Sequence, residues 1–398
     1  MTTNTVKNKK YIVKYKAITI YKRENVMKRI YNYLKKDAVL TISWGLAIIS
    51  MLFINPDKAY AGYIDWRSLG ILWSLMIITK GYMQNGIFEK IGHALLTRTR
   101  KMWQLIAVLV GLNFFSSMII TNDVSLITFV PFAIMMLKQC GRQELMIPVV
   151  VLQTIAANLG SMLTPIGNPQ NLYLYGLAGK GIGGFIMWLL PYTIVSALLL
   201  VISILLIKNK NEIICIEDTD SEAAHNTSVP RVMAYSVLFI LALLVVARVL
   251  TWYILAAAVL ITVLLLEKNV LAKADYALLL TFIGFFIFTG NMGRVEPVAH
   301  FLAGIVNGRE LEAGIITSQC ISNVPAALLL SEFTDNIKNL AIGVNIGGLG
   351  TLIASMASLI SYKLYANEVP EKKGKYFAAF TVYNIIFLVV LYVFTKLI

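Results

Sequence analysis

Long apolar segments alternate with short polar or basic ones along the chain. A membrane-spanning helix needs about 20 mostly apolar residues, and several nearly charge-free runs here approach that length. Helices of a soluble protein would show polar faces instead, so the pattern predicts an all-α, polytopic membrane protein. We expect about nine full spans. They are predicted at residues 38–54, 66–80, 146–175, 185–207, 232–247, 249–266, 276–290, 338–362 and 376–396.

Two further apolar regions have the pattern of hairpins. Residues 102–120 and 124–137 are joined only by Thr121-Asn122-Asp123, and both outer ends are basic. Two full spans would put this polar tip beyond the far headgroups, whereas a re-entrant hairpin would end within the membrane. We favour the hairpin because so short a tip barely crosses a headgroup layer, and we expect a second hairpin at 310–336. Residues 86–98 and 295–306 have the pattern of amphipathic surface helices.

A short stretch occurs twice, once in each half of the chain. Asn158 to Gly167 and Asn345 to Ala354 align without gaps at Asn, Gly, Thr and Ile. Each glycine costs a helix interior about 1 kcal/mol relative to alanine, and a proline removes a backbone donor. The repeat therefore predicts two interrupted membrane helices whose freed backbone lines a site.

The hairpin tips repeat as well, and they precede the interrupted helices in the same order. Ser117, Thr121 and Asn122 have the spacing of Ser318, Ser322 and Asn323. Placing the Lys- and Arg-rich loops in the cytoplasm makes the first hairpin enter from inside and the second from outside. The two halves then have opposite orientations, which is the inverted-repeat plan of secondary transporters.

Composition and charge divide the chain further. The net charge is +14, and eleven of the Lys and Arg residues lie within residues 1–36. This basic segment is compatible with a nucleic-acid-binding arm, but a cytoplasmic flank before a membrane helix is the simpler interpretation, so no nucleic-acid partner is expected. The predicted divisions are a cytoplasmic N-terminal segment at 1–37, a first half at 38–207, a cytoplasmic linker at 208–231 and a second half at 232–398.

The tips and the helix breaks supply candidate ligands for a small cation. Unwound carbonyls and the oxygens of Asn, Ser and Thr can replace a hydration shell. A single Ser or Thr more often caps a helix or bonds a neighbouring helix, but matched sets in both halves favour a site. The candidate ion-binding residues are Ser117, Thr121, Asn122, Asp123, Asn158, Gly160, Ser318, Ser322, Asn323, Asn345 and Gly347.

Asp123 breaks the symmetry, because its counterpart is Val324. A carboxylate at the membrane centre costs roughly 2.5 to 3.5 kcal/mol on insertion scales. Two roles stay open: Asp123 caps the outgoing helix, or it carries a proton between the two sides of the membrane.

The first break continues into a polar, proline-containing stretch from Thr164 to Asn171. Its amides are neutral donors suited to an anion, and half-helix N-termini add partial positive charge. The candidate substrate-binding residues are Asn122, Thr164, Asn168, Gln170, Asn171, Asn323 and Thr351.

The sequence Thr164-Pro165-Ile166-Gly167-Asn168-Pro169-Gln170-Asn171 and the two tips resemble the ion transporter superfamily. This superfamily includes citrate transporters, divalent anion symporters, arsenite efflux pumps and some sodium/proton antiporters. The resemblance covers nearly all of 38–396, and it implies a scaffold domain, a transport domain that moves as an elevator, and a homodimer. Sodium-coupled members carry Ser-Asn-Thr at each tip, whereas the third residue here is Asp123 or Val324. Arsenite-pump relatives have Asn-Asp at the first tip, which points to proton coupling.

The sequence is therefore expected to encode a secondary transporter of a small anion, such as citrate, coupled to H⁺ or Na⁺. Efflux of arsenite and Na⁺/H⁺ antiport are the alternatives within the superfamily, and a channel or a membrane-embedded enzyme is an alternative from another class. No hydrolase or ATPase motif is present, so an enzyme is not expected. We expect no cofactor and no metal other than a coupling Na⁺, with the lipid bilayer as the surroundings of the chain.

Overall fold

The computed structural model describes residues 38–96, 99–207, 212–213 and 228–398. These residues are mostly helical, and the β-pairing among them is one isolated bridge between Lys101 and Ile213. The predicted N-terminal segment and most of the predicted linker lie outside the described residues.

The first half is built from nine helices within the described ranges. Their bounds are α1 Ala38–Ser50, α2 Tyr60–Tyr63, α3 Trp66–Gln84, α4 Ile87–Leu96, α5 Met102–Ile120, α6 Asn122–Gln139, α7 Met146–Ser161, α8 Pro169–Leu177 and α9 Ile182–Leu205.

The helices in the described part of the second half are α10 Val229–Val246, α11 Trp252–Leu266, α12 Tyr276–Arg294, α13 Glu296–Val306, α14 Glu310–Ile321, α15 Asn323–Leu330, α16 Ile337–Ile346, α17 Met356–Glu368 and α18 Lys373–Thr395. This part begins with an additional helix, α10, and from α11 onwards it repeats the order of the first half apart from the short α2. Both interrupted helices, α7 with α8 and α16 with α17, are confirmed, and so is the all-α membrane fold.

Six helical segments are long and apolar enough to cross a membrane. They are Met102–Ile120, Gln143–Ser161, Ile182–Leu205, Val229–Val246, Tyr276–Arg294 and Pro370–Thr395. Many exposed large side chains of these helices are apolar, for example Ile194 and Leu198 on α9 and Ile385 and Ile386 on α18. Such a surface suits contact with lipid, and the chain is an integral, multi-pass membrane protein.

The outer helices pair across the two halves. Helix α1 packs on α12, and α3 packs on α10 and α11. In the repeat, α1 corresponds to α11 and α3 corresponds to α12. The contact of α1 with α12 is therefore the counterpart of the contact of α3 with α11. This exchange of equivalent partners is what a two-fold relation between the halves produces.

The remaining helices form a second body around the hairpins and the breaks. Helix α5 packs on α6 and α7, and α14 packs on α15 and α16. Helices α9 and α18, which end the two halves, pack on α7 and on each other. The predicted hairpins therefore lie against the predicted helix breaks in both halves.

The two hairpins differ in length. The arms α14 and α15 have 12 and 8 residues, about 18 and 12 Å of helix, and cannot cross a hydrocarbon core of about 30 Å. The arms α5 and α6 have 19 and 18 residues. Their tip nevertheless ends inside the protein, because Asn122 is only 5% exposed and its backbone N–H donates to the Gly167 carbonyl at 3.1 Å.

Candidate functional site

The two hairpin tips share an uncommon backbone conformation. Thr121 has φ 74° and ψ 147°, and its counterpart Ser322 has φ 76° and ψ 153°. This region is close to one that only glycine adopts easily, and holding another residue there costs about 1–3 kcal/mol. The same strain at matched positions shows that both tips are built to one plan, and strain of this kind is concentrated at functional sites.

Each hairpin approaches its helix break at a glycine. A Cβ on Gly160 would lie 2.1 Å from the Phe114 carbonyl oxygen and 2.7 Å from Ser117 Oγ. A Cβ on Gly347 would lie 2.9 Å from Ile315 Cα and equally close to Ser318 Oγ. These glycines therefore allow close contact between the hairpin and the interrupted helix.

The position of the first break corrects one expectation. Gly160 was predicted to loosen the helix, but α7 remains helical to Ser161, and the irregular backbone spans 162–168. Asn158 likewise lies in the last helical turn, and so does Asn345 of α16. Pro165 lies within the interruption and Pro169 begins α8, whereas Gly160 is needed for packing.

The two interrupted helices exchange polar contacts across the halves. Asn158 Oδ1 accepts from Ser355 Oγ at 3.0 Å, and Asn158 Nδ2 donates to Ser358 Oγ at 3.4 Å. Ser355 and Ser358 are the second-half counterparts of Asn168 and Asn171. The asparagine at the end of α7 therefore contacts the first turn of α17.

The reciprocal contact joins α16 to α8. Asn168 Nδ2 donates to Asn345 Oδ1 at 3.1 Å, and Asn345 Nδ2 donates to Asn171 Oδ1 at 2.6 Å. Asn168 is also the N-cap of α8, because its Oδ1 accepts from the Asn171 N–H at 2.9 Å. We call the cluster formed by these contacts, Asn158, Asn168, Asn171, Asn345, Ser355 and Ser358, the crossing. All six side chains are at least 95% buried.

Further contacts hold the hairpins to the crossing. Asn122 Nδ2 donates to Asn158 Oδ1 at 3.2 Å. Thr164 Oγ1 donates to the Met118 carbonyl at 2.5 Å, and Thr351 Oγ1 donates to the equivalent Gln319 carbonyl at 3.2 Å. Each break threonine is thus linked to the hairpin of its own half.

Other predicted residues lie around this network. Gln170 is buried at the start of α8, and Asn323 is buried at the second tip with its Oδ1 3.4 Å from Ser322 Oγ. Ser117 Oγ and Ser318 Oγ donate to carbonyls of their own helices, those of Phe114 and Gly314.

Asp123 lies in the first turn of α6 without capping it. The N-cap is Thr121, and the Asp123 N–H instead donates to Asn122 Oδ1 at 3.0 Å, so the predicted capping role is wrong. Asp123 Oδ1 is buried without a hydrogen-bond partner in the described part of the chain. The carboxylate interacts electrostatically with Lys80 and Asp275. Burying an unpaired carboxylate costs free energy, so such a group is either protonated or retained for a function.

Four helices begin at the crossing. They are α6, α8, α15 and α17, which start at Asn122, Pro169, Asn323 and Met356. The N-terminus of a helix carries roughly half a positive charge and free N–H groups, which favour an anion. The side chains of the crossing are neutral, and α5, α7, α14 and α16 also end there. The backbone dipoles therefore offer positive helix ends to an anion and negative helix ends to a cation.

The two tips differ in how they meet the outer helices. A groove of about 820 Å³ runs beside the first hairpin, between α5 and α10, and is lined by apolar residues such as Phe115, Ile119 and Phe239. At the second tip, Ser322 and Val324 pack closely against Val39 and Leu278, with a residual space of about 10 Å³. The second tip is therefore closed off by α1 and α12.

Sequence reasoning missed several residues of the site. Ser355 and Ser358 align with Asn168 and Asn171, but the second copy is less polar there and contains no proline, so its sequence drew less attention. Gln153 donates to the Leu109 and Phe129 carbonyls, both at 3.2 Å, and braces the first hairpin. A polar amide within an otherwise apolar helix was the available signal.

Two basic side chains, those of Arg248 and Lys80, have different surroundings. Arg248 donates to the carbonyls of Tyr175 and Gly176 and lies 5.3 Å from the Tyr175 ring centroid, so it binds the end of α8. Lys80 lies within α3, not at its end, and its Nζ is 3.9 Å from Met83 Sδ.

Comparison with known proteins agrees with this architecture. A family model described as citrate transporter matches residues 34–339. An uncharacterized transporter of Methanocaldococcus jannaschii is 32% identical over 90% of this chain and 97% of its own length. The inner membrane protein YbiR of Escherichia coli is 30% identical over 80% of this chain and 86% of its own. The silicon efflux transporter LSI3 of rice is 30% identical over 36% of this chain and 30% of its own.

The family match extends from the first membrane helix into the second interrupted helix, and so includes both hairpins and the first break. The two long matches cover both halves of the fold. The chain therefore belongs to the citrate transporter family and is a secondary membrane transporter, not an enzyme.

Proposed function

We propose that this transporter moves a small anion, a di- or tricarboxylate such as citrate, through the crossing, and that H⁺ or Na⁺ drives the transport. The observation that carries the proposal is the meeting of four helix N-termini with buried amides from both halves. Neutral donors and backbone dipoles bind a carboxylate without the tight ion pairs that would slow its release. The description of the family is consistent with this substrate.

The residues proposed to bind the substrate are the ones predicted from the sequence. In the present conformation Asn168 and Asn171 are bound to Asn345. A substrate would replace contacts of this network with contacts to its own oxygens. The proposed substrate-binding residues are Asn122, Thr164, Asn168, Gln170, Asn171, Asn323 and Thr351.

Coupling is proposed to use the first tip. Among the described residues Asp123 Oδ1 has no hydrogen-bond partner, and Asp123 adjoins Asn122, whose side chain bonds Asn158. A carboxylate so placed binds a proton or completes the ligand set of a sodium ion. The proposed coupling site comprises Ser117, Thr121, Asn122, Asn158 and Gly160 with Asp123, all in the first half, whereas the equivalent residues of the second half rest on the sequence repeat alone.

We also propose the mode of movement and the setting. The body that carries the hairpins and the crossing would move as an elevator against α1, α3, α10, α11 and α12, in a homodimer in the cell membrane with the N-terminus in the cytoplasm. The contrast between the apolar groove at the first tip and the close packing at the second supports two separable bodies.

The test of coupling is the variant Asp123→Asn in proteoliposomes. Wild-type protein is expected to accumulate labelled citrate under an imposed pH or sodium gradient. Asp123→Asn is nearly isosteric but cannot ionise, so it should lose accumulation and keep exchange of internal for external citrate. Unchanged accumulation by the variant would remove Asp123 from the coupling mechanism.

Efflux of a neutral hydroxide such as arsenite is the second candidate. Asp123 follows Asn122 at the first tip, the crossing has no cationic side chain, and relatives include a silicon efflux transporter and a putative transporter named arsB. Metalloid resistance in an efflux-deficient host, without citrate counterflow, would favour this candidate. Na⁺/H⁺ antiport would instead appear as sodium-driven proton movement without either solute.

A further inference from the structure

The second hairpin carries one polar side chain that the first lacks. Gln319 follows Ser318 on α14, and its counterpart in the first half is Met118. We propose that the Gln319 side-chain amide occupies the place of a coupling cation in the second half, so that this transporter has one coupling-ion site and not two. The inference rests on the proposed coupling function.

The Gln319 amide is held by the helix break itself. Its Nε2 donates to the Gly347 carbonyl at 2.8 Å and to the Leu349 carbonyl at 2.9 Å. Its Oε1 accepts from the Thr351 N–H at 2.9 Å. Both ends of the amide are therefore engaged with the backbone between α16 and α17.

The backbone of this break is shaped around the amide. Gly350 has φ +105°, and a Cβ there would lie 2.3 Å from Gln319 Oε1. Any side chain at position 350 would displace the amide from its carbonyls. The contact is therefore a built feature of the second break.

The Gln319 amide donates to carbonyl oxygens that would otherwise be available to coordinate a cation. Carbonyls freed by an interrupted helix are the groups that coordinate a coupling ion in such folds. An N–H donor carries partial positive charge and lies on the lone pairs of the Gly347 and Leu349 oxygens. A cation at the same oxygens would be repelled by this donor and would have fewer ligands.

The first half lacks this contact between the hairpin and the break, because the Met118 side chain has no N–H to donate. The equivalent carbonyls bond within their own segment: that of Gly160 accepts from the Leu163 N–H at 3.1 Å, and that of Met162 accepts from Asn171 Nδ2 at 2.8 Å. The acidic residue also differs, since Asp123 lies at the first tip and Val324 at the second. The half with a carboxylate thus has no tethered hairpin amide, and the half with the amide has no carboxylate.

The test replaces the donor by a nearly isosteric acceptor. In Gln319→Glu, carboxylate oxygens face the Gly347 and Leu349 carbonyls, a set of oxygens that is stabilised by a bound cation or by protonation of the carboxyl group. The measurement is therefore made at about pH 9, where protonation is disfavoured. We expect replacement of choline by Na⁺ at constant ionic strength to raise the melting temperature of purified Gln319→Glu by about 2 °C or more beyond its effect on wild type. No additional rise would overturn the proposal.

A second comparison uses two serines in matched positions and does not depend on the folding of Gln319→Glu. If the second half binds no cation, Ser318→Ala should show the same effect of Na⁺ on the melting temperature as wild type. A Na⁺-dependent rise in wild type that Ser318→Ala abolishes would show that the second half binds the ion with Gln319 in place, and the proposal would be wrong.

The matched variant Ser117→Ala reports on the proposed coupling site of the first half. Loss of a Na⁺ effect in Ser117→Ala alone supports a single, first-half sodium site. Neither melting experiment involves the transported solute, so failure of citrate uptake would refute the proposed substrate and leave this inference to be judged by the melting temperatures.

Discussion

Substitution of Gly160 by alanine tests the close contact between the first hairpin and its interrupted helix. The new Cβ would lie 2.1 Å from the Phe114 carbonyl oxygen and 2.9 Å from the Phe114 carbonyl carbon. Those atoms are backbone, so no side-chain rotation relieves the overlap, and α5 must move away from α7. Because the hairpin tip contacts Asn158 and Gly167, this displacement would reach the crossing.

The expected magnitude is the difference of two opposing effects. Alanine is favoured over glycine within a helix by about 1 kcal/mol. Overpacking a tightly packed contact typically costs about 1–3 kcal/mol, and more when backbone must shift. The difference is about 0–2 kcal/mol, and because backbone must shift we expect Gly160→Ala to destabilise the protein by about 2 kcal/mol net and to reduce transport.

Two other glycines provide a graded comparison. Gly347→Ala meets its nearest atoms at 2.9 Å and should be milder, whereas a Cβ on Gly111 of α5 has nothing within 4 Å. Gly111→Ala should be neutral or slightly stabilising. The assay is the melting temperature of purified protein together with uptake by proteoliposomes. If Gly160→Ala is as stable and as active as Gly111→Ala, the close approach of α5 and α7 is wrong.

Two further predictions concern other parts of the molecule. Gln153→Leu removes the two 3.2 Å hydrogen bonds to Leu109 and Phe129, so it should lower stability by about 1 kcal/mol in thermal unfolding, and an unchanged melting temperature would contradict this bracing role. The Arg294 guanidinium lowers the pKa of Asp57 below its unfolded value of 3.8, so the pair stabilises the loop above that pH and loses its effect as the carboxylate is protonated below it. Arg294→Ala should therefore lower the melting temperature slightly at pH 7 and by less at pH 3, and an equal decrease at both would show that the pairing is not the cause.

Much of the fold could be predicted from the sequence. Hydrophobic length placed most helix boundaries within a few residues, and the matched tips and breaks predicted the two hairpins and both interrupted helices. These features are visible because each depends on local composition: apolar runs, prolines, and polar residues inside membrane segments.

The connections within the site could not be predicted in the same way. Asn158 and Asn345 occupy equivalent positions in the two copies, but each forms hydrogen bonds with the opposite half. Asn158 contacts Ser358, and Asn345 contacts Asn171. Such exchanged contacts depend on how the halves pack, which no local pattern states. Gln319 was overlooked for the same reason, because its role depends on carbonyls about 30 residues away.

The central claim is that the crossing is the site through which the solute passes. Its most direct test is the accumulation of a labelled anion that wild-type proteoliposomes take up, measured in Asn158→Ala against Asn384→Ala. Both asparagines are at least 95% buried, but Asn158 contacts Asn122, Ser355 and Ser358, whereas Asn384 Nδ2 donates to a carbonyl of its own helix.

Asn158 is a proposed ligand of the coupling ion, and losing about 1.4 kcal/mol of ion binding lowers the affinity tenfold, so we expect Asn158→Ala to lose at least tenfold in coupled accumulation. Asn384→Ala should retain most of the uptake. Accumulation by Asn158→Ala at the wild-type rate, with the variant folded and inserted in the membrane, would contradict the account.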